Sequence, residues 1–260
     1  MPERIRDAAE EDNQENDKIV GRNPVIEALK AGRSIDRILV AKGAEGLGKL
    51  YAMAKEAGVP VKEVSPVKIG KESAGANAQG VMAFAAAHRY AEVEEIFKLA
   101  EERGEPPFIL IADGLEDPHN LGALIRTAEC CGAHGVIVPK RRSVGLSYAV
   151  SKTSAGALEY VPVARVTNLS DEIEALKKRG LWIFCADMDG EPLWQADMRG
   201  PIGLVVGAEG EGVGRLVKEK CDFVVSLPMR GKIGSLNASV AASIVMYEAA
   251  RQRLGISARG

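Results

Sequence analysis

Along the second half of the chain, short apolar runs alternate with longer segments of helical period. Phe108–Ala112, Gly135–Val138, Leu181–Cys185, Leu204–Val206 and Phe223–Ser226 are nearly all apolar, the pattern of strands covered on both faces. The clearest helical segment is Leu121–Cys131, whose stripe Leu121, Leu124, Ile125, Ala128 and Cys131 stops at Gly132. Leu236–Leu254 predicts a last helix, apolar on more than one side. The alternation predicts an α/β domain with a mostly parallel sheet, and periodicity leaves its strand order open.

Residues 19–87 carry a smaller α/β pattern. An apolar-periodic Asn23–Lys30, a strand Arg37–Ala41, a helix Leu47–Ala57, and strands Val59–Val64 and Val81–Ala86 follow one another, with Gly32 and Gly58 where the helices stop. His88–Pro107 reads as a connection: Val93, Ile96, Phe97 and Ala100 form one apolar stripe on a charged helix, ended by Gly104 and Pro106-Pro107. The expected division is therefore a domain at 19–87, a linker at 88–107 and a second domain at 108–260.

At 260 residues, 46% hydrophobic and 27% charged, the chain can bury one large core or two modest ones. Residues 1–17 hold seven acidic side chains against two arginines, so the first 18 residues read as a disordered acidic tail. Removing that −5 from the formal net charge of −2 leaves +3, too little to hold nucleic acid by overall charge. Cys130, Cys131, Cys185 and Cys221 include no C-x-x-C pair and three histidines make no zinc cluster, so reduced thiols and no metal are expected. A signal-peptide pattern and an apolar run of about 18 residues are both missing, which points to a cytoplasmic protein without a membrane anchor.

The candidate chemistry is in the loops. Gly207, Gly210, Gly212, Gly214, Gly231 and Gly234 follow the last two strands, at the edge where open α/β sheets bind ligands. Glu209, Ser235 and Asn237 stand among them. Ser235 has an alternative role as N-cap of the last helix, a role that fits Asn237 less well; Asn120 has the same alternative ahead of Leu121. Arg126 has the alternative of a surface pair with Glu129. A nicotinamide-dependent oxidoreductase is disfavoured, because no G-x-G-x-x-G follows Phe108–Ala112. Lys140-Arg141-Arg142, with Arg230 and Lys232, place cations at strand ends where they could meet the phosphates of a ligand, whereas Lys177-Lys178-Arg179 reads as a solvated face.

Three stretches then make a set: DGLEDPHNLGALIR at Asp113–Arg126, GAEGEG from Gly207, and LPMRG with GSLNASVA from Leu227 onward. In order and spacing they resemble the three motifs of the SpoU (TrmH) family of SPOUT RNA ribose 2′-O-methyltransferases. The resemblance covers nearly all of residues 19–254 and is closest to the bacterial branch that methylates a guanosine ribose of 23S rRNA. It implies a deep trefoil knot, a homodimer that completes its site at the interface, and S-adenosylmethionine as donor, held by Gly207, Leu227 and Leu236. It gives Arg126 the central catalytic part, with Asn120, Glu209, Ser235 and Asn237 orienting it and the ribose. A guanidinium stays protonated in nearly any setting, so polarising the 2′-hydroxyl is chemically cheaper for Arg126 than serving as a base. IVGRNPVIEAL and NAQGVMA resemble the L30e-like, RNA-binding substrate domain of the same branch, with Ala78 where the family usually has a histidine. A tRNA ribose methyltransferase and a non-catalytic RNA-binding relative are the alternatives. The second is free to lose the five polar residues, and all five are present.

Overall fold

The structure, a computed structural model, describes residues 18–74 and 76–256; apart from Lys18, the acidic tail expected at the amino end lies outside the described residues. Contacts group the chain into two units, one running to Arg89 and including Gly145–Ala149, the other comprising Tyr90–Val144 and the residues from Val150 onward.

In the first unit β1 (Lys18–Val20), β2 (Ile35–Ala41), β3 (Val61–Val64) and β4 (Val81–Ala85) form a sheet in the order β1-β4-β2-β3. β4 runs antiparallel to both neighbours, and β2 and β3 are parallel. Helices α1 (Arg22–Lys30) and α2 (Gly48–Glu56) bury Val25, Leu29, Leu50 and Ala54 against Ile35, Ile38 and Val40. α3 (Pro66–Glu72) was not expected; it starts at Pro66 behind a Ser65 cap that accepts the Lys68 N–H. Ala78 packs with Leu39, Ile69 and Met82, so the position where the family usually carries a histidine faces a small apolar cluster.

The second unit opens with α4 (Val93–Arg103) and alternates β5 (Phe108–Ala112), α5 (Pro118–Cys130), β6 (Gly135–Pro139), α6 (Tyr148–Thr153), β7 (Val163–Val166), α7 (Leu169–Lys178), β8 (Trp182–Pro192), β9 (Ile202–Val206), α8 (Arg215–Lys218), β10 (Phe223–Ser226) and α9 (Ala238–Arg253). Its six strands are all parallel, in the order β10-β8-β9-β5-β6-β7. Ile109, Ile111, Ile137, Ile183 and Val205 meet Ile96, Ile173, Leu176 and Val217 on one face. By strand alternation Phe108, Leu110, Leu204 and Val206 turn to the other, which α5 and α9 cover. The stretch read as a linker is therefore largely a packed layer of this unit. A Cβ at Gly135 would come within 2.5 Å of Ile96, so β6 needs a glycine to let α4 approach.

Three differences from the expected element boundaries bear on the site. α5 starts at Pro118, with the Asp117 carboxylate accepting the His119 N–H at 3.0 Å, so Asn120 is a buried first-turn residue and not the N-cap. α9 starts at Ala238 with Asn237 as its cap, so the cap read at Ser235 belongs two residues later; Leu236 had extended the apolar period too far. β8 continues past Cys185 because Glu191 and Pro192 still pair with Val225 and Ser226, despite the polar sequence.

Candidate active site

β5 and β9 are neighbours at the centre of the sheet, yet the chain leaves β5 toward β6 and leaves β9 toward β10, on opposite sides. Their loops diverge at the carboxyl ends, and such a divergence opens a crevice. Asn120 from the first turn of α5, which follows the β5 loop, Glu209 from the β9 loop and Asn237 from the β10 loop meet there. The Asn237 amide donates to Asn120 Oδ1 at 3.1 Å and to Glu209 Oε2 at 3.2 Å, and Asn120 Nδ2 reaches the same carboxylate oxygen at 3.5 Å. Capping fixes Asn237 in this role: its Oδ1 accepts from the Ser239 N–H at 3.0 Å and the Ser239 hydroxyl at 2.6 Å, which leaves the NH₂ to face Glu209. Asn120 is only 7% exposed, so its amide is committed to this cluster.

Beside the cluster is a cleft of about 260 Å³ that includes Gly207, Leu227 and Leu236, the three residues expected to hold a donor, together with Glu209 and Ser235. Val206, Val225 and Met229 add apolar wall. Its charged members are Asp187, Glu209 and Glu211, and no lysine or arginine lines it. The loop over the cleft is tight, with Ala208 and Gly212 exchanging backbone hydrogen bonds of 3.1 and 2.9 Å. A Cβ on Gly207 would lie 2.0 Å from the Gly212 carbonyl carbon, so only glycine fits.

A model of the SpoU rRNA methylase family matches residues 107–247, and one described as RNA 2′-O ribose methyltransferase substrate binding matches residues 18–91. The Bacillus subtilis (strain 168) protein YacO, named within the TrmH family of tRNA/rRNA methyltransferases, is 48% identical over 244 residues, 93% of this chain and 98% of its own. The chain belongs to the SpoU family of RNA ribose 2′-O-methyltransferases. A solved RNA 2′-O ribose methyltransferase superposes with a TM-score of 0.53 at 28% identity, over 91% of this chain and 88% of that one. The SpoU methyltransferase AviRb of Streptomyces viridochromogenes, solved in complex with AdoMet, has the same fold, with a TM-score of 0.58 at 24% identity over 91% and 90% of the two chains.

In this SpoU methyltransferase Arg126 is apart from the other four polar residues. It is exposed, and among the described residues it makes no hydrogen bond or ion pair, so the pair with Glu129 is not formed. At 3.6 residues per turn, six positions set it about 240° around α5 from Asn120. Ala123 and Cys130, one turn either side of it, line a groove of about 1260 Å³ with Trp194, Val240, Ile244, Tyr247 and Leu254. Lys140, Arg141 and Arg142 follow β6, while Arg230 and Lys232 lie exposed in the loop after β10. β6 and β10 are four strand spacings apart, roughly 19 Å. The two basic groups therefore do not merge; they flank the β5 and β9 loops.

Asp187 and Asp113 escaped the sequence reading. Asp187 lines the cleft from the polar continuation of β8 and pairs with Lys218 at 3.1 Å. Lys218 also meets Asp189 at 2.6 Å, and that hydrogen bond, with the one to Asp187, raises its pKa. Asp113 accepts the Gly214 N–H at 2.8 Å. The available signal was position alone, since each follows an apolar strand run directly or within two residues.

Proposed function

We propose that this protein transfers the methyl group of S-adenosylmethionine to the ribose 2′-hydroxyl of a guanosine in 23S rRNA, acting in the cytoplasm as a homodimer whose catalytic domain carries the trefoil knot implied by the family. The observation that carries the choice of donor is the cleft beside the Asn120–Glu209–Asn237 cluster. It offers glycine backbone and apolar walls for a nucleoside, and its only charges, Asp187, Glu209 and Glu211, are negative. Such a lining favours a cationic sulfonium and repels the pyrophosphate of a dinucleotide. When bound, the donor supplies an electrophilic methyl carbon.

The chain's own residues do the rest. Asn120, Glu209 and Asn237 form a fixed polar wall for the ribose, and Ser235 adds a hydroxyl at the same cleft. Arg126, between the groove-lining Ala123 and Cys130 along α5, serves the site of the second protomer when the two grooves face each other. As a permanent cation it polarises and positions the 2′-hydroxyl, and the proton leaves to an RNA phosphate. Residues 19–87 and the cations Lys140, Arg141, Arg142, Arg230 and Lys232 hold the RNA.

Mapping 2′-O-methyl groups in RNA from cells with and without the protein tests the assignment. Loss of one guanosine mark in 23S rRNA is the expected result; loss of a tRNA mark would move the substrate to tRNA, and no lost mark would leave a non-catalytic RNA-binding relative. Calorimetry with S-adenosylmethionine in the presence of a chelator tests the donor, and tight NAD binding in its place would overturn it.

A further inference from the structure

We propose that Asp113 is a positioning residue for methyl transfer: its carboxylate, bonded to the backbone N–H of Gly214, fixes the loop that carries Gly207 and Glu209. The inference rests on the methyltransferase reading of the cleft. Residues 207–214 contain four glycines, with Gly210 and Gly212 at φ of +83° and +68°, and Val213 is the loop's buried apolar anchor. A segment this rich in glycine has high conformational entropy when unrestrained. It is restrained at its amino end by β9 and internally by the Ala208–Gly212 bridge. At its carboxyl end the side-chain restraint is the bond from Gly214 to Asp113 Oδ2, 2.8 Å long.

Asp113 is well placed to hold something else still. It is the first residue past β5, and its own N–H donates to the Val206 carbonyl at 2.8 Å, which continues the β5–β9 ladder. Asn120, in the first turn of the helix that follows, reaches Glu209, so the loop is held from this side at Glu209 as well as at Gly214. Gly214 itself supports the argument. Its φ of −57° and ψ of 138° are open to any residue, so no turn requires a glycine there. A Cβ would, however, sit 3.1 Å from Asp113 Oδ2, tighter than ordinary contact. The absent side chain is explained by the approach of the carboxylate. One turn further on, Lys218 of α8 ties the same segment to Asp187 and Asp189 within β8.

Asp113→Ala, Asp113→Asn and Gly214→Ala in the full chain test the proposal. Donor affinity by calorimetry, hydrogen exchange of residues 207–214 in donor-free protein, and RNA affinity are the readouts. Asp113→Ala should weaken S-adenosylmethionine about tenfold, the scale of one charge-assisted hydrogen bond, and speed exchange across the loop while RNA affinity stays unchanged. Asp113→Asn, which keeps an acceptor oxygen, should recover most of the loss. Gly214→Ala should resemble Asp113→Ala and add nothing to it in the double variant. Wild-type affinity and exchange in Asp113→Ala would overturn the proposal, as would an asparagine variant as weak as alanine. If Asp113→Ala lowers RNA affinity as well through general unfolding, Gly214→Ala decides, and a wild-type result there overturns it. Failure of the unmodified protein to bind S-adenosylmethionine would sink the methyltransferase reading instead, while the exchange comparison would still test the clamp.

Discussion

An exposed arginine without an ion-pair partner contributes little to folding, so Arg126 allows structural and chemical roles to be separated. Arg126→Ala should change stability by less than about 0.5 kcal/mol, as at most surface positions. If Arg126 polarises the hydroxyl, single-turnover methylation should fall by about 10²–10⁴ while donor affinity holds. Arg126→Lys should recover little, because an ammonium does not reproduce a planar two-point contact; near-normal turnover by the alanine variant would remove Arg126 from the reaction and direct attention to His119. The sequence singled out Asn120, Glu209 and Asn237, which the structure brings into one hydrogen-bonded cluster, more readily than it showed how each side chain is bonded. Asn237 was the residue least expected to cap and is the one that caps, because one side chain serves both tasks with opposite ends of its amide. His134, unremarked in the sequence, is fully buried, with Nδ1 accepting the Phe108 N–H at 3.0 Å and Nε2 against Glu105 at 3.1 Å. Burial lowers its pKa, helped by Arg103 and Arg253 and opposed by Glu105. The folded state therefore holds it neutral, while the unfolded chain takes up a proton near pH 6.5. Stability should be complete above about pH 6.5 and decline as pH falls below it. Melting temperatures across that range should show a flatter profile for His134→Gln, and identical profiles would refute the assignment.

At the scale of elements, α9 connects the site to the proposed dimer. Ala242, Val245, Met246 and Ala249 bury one side of it, while Val240, Ile244 and Tyr247 remain 48%, 38% and 56% exposed on another, beside Trp194 and Leu254. An apolar surface of this kind is the feature by which the proposed dimer is to be tested. Tyr247→Asp should therefore yield a folded monomer in sedimentation that has lost methyl transfer, since Arg126 would no longer reach a partner's site; an intact dimer would place the interface elsewhere. The two-sided pattern of this helix was legible because both faces are apolar in sequence. The end of β8 was not, since Ala186–Pro192 is held in the sheet by backbone pairing, which leaves no periodic trace in side chains. The β9 loop gives a second test at this scale. In Gly207→Ala the new methyl group has backbone atoms of Gly212 and Val213 at 2.0–2.2 Å, and backbone cannot step aside as a flexible side chain can. The loop must open, which should cost about 1–3 kcal/mol and abolish measurable donor binding.

For the whole molecule, apolar runs identified a parallel sheet, and the motifs singled out three segments that meet at one edge of it, but strand order is a matter of backbone pairing and was not legible. That order gives the motifs their meaning, because β5 and β9 are adjacent and bring Asn120 to Glu209 across 89 residues of sequence. The role of α4 was also misjudged from its charged sequence, in which a short apolar stripe resembles a surface connector. Ile96 and Ala100 are 0% and 1% exposed, and Ile96 packs with Ile109, Ile137 and Ile173 under the catalytic sheet. A cut at residue 90 therefore keeps α4 with its sheet, and a cut at 107 does not. Residues 90–260 should fold, bind S-adenosylmethionine as tightly as the full chain, and form the proposed dimer. Affinity for RNA should drop by roughly 10²–10⁴, the scale lost when two linked binding modules are reduced to one. Residues 107–260 lack α4 and expose the cluster beneath it, so they should lose about 1.5–3 kcal/mol for Ile96 alone. Melting of the two fragments side by side measures this difference. Equal stabilities would show that α4 is a detachable tether, and an equal loss of donor and RNA affinity in residues 90–260 would show that the amino-terminal unit takes part in more than holding RNA.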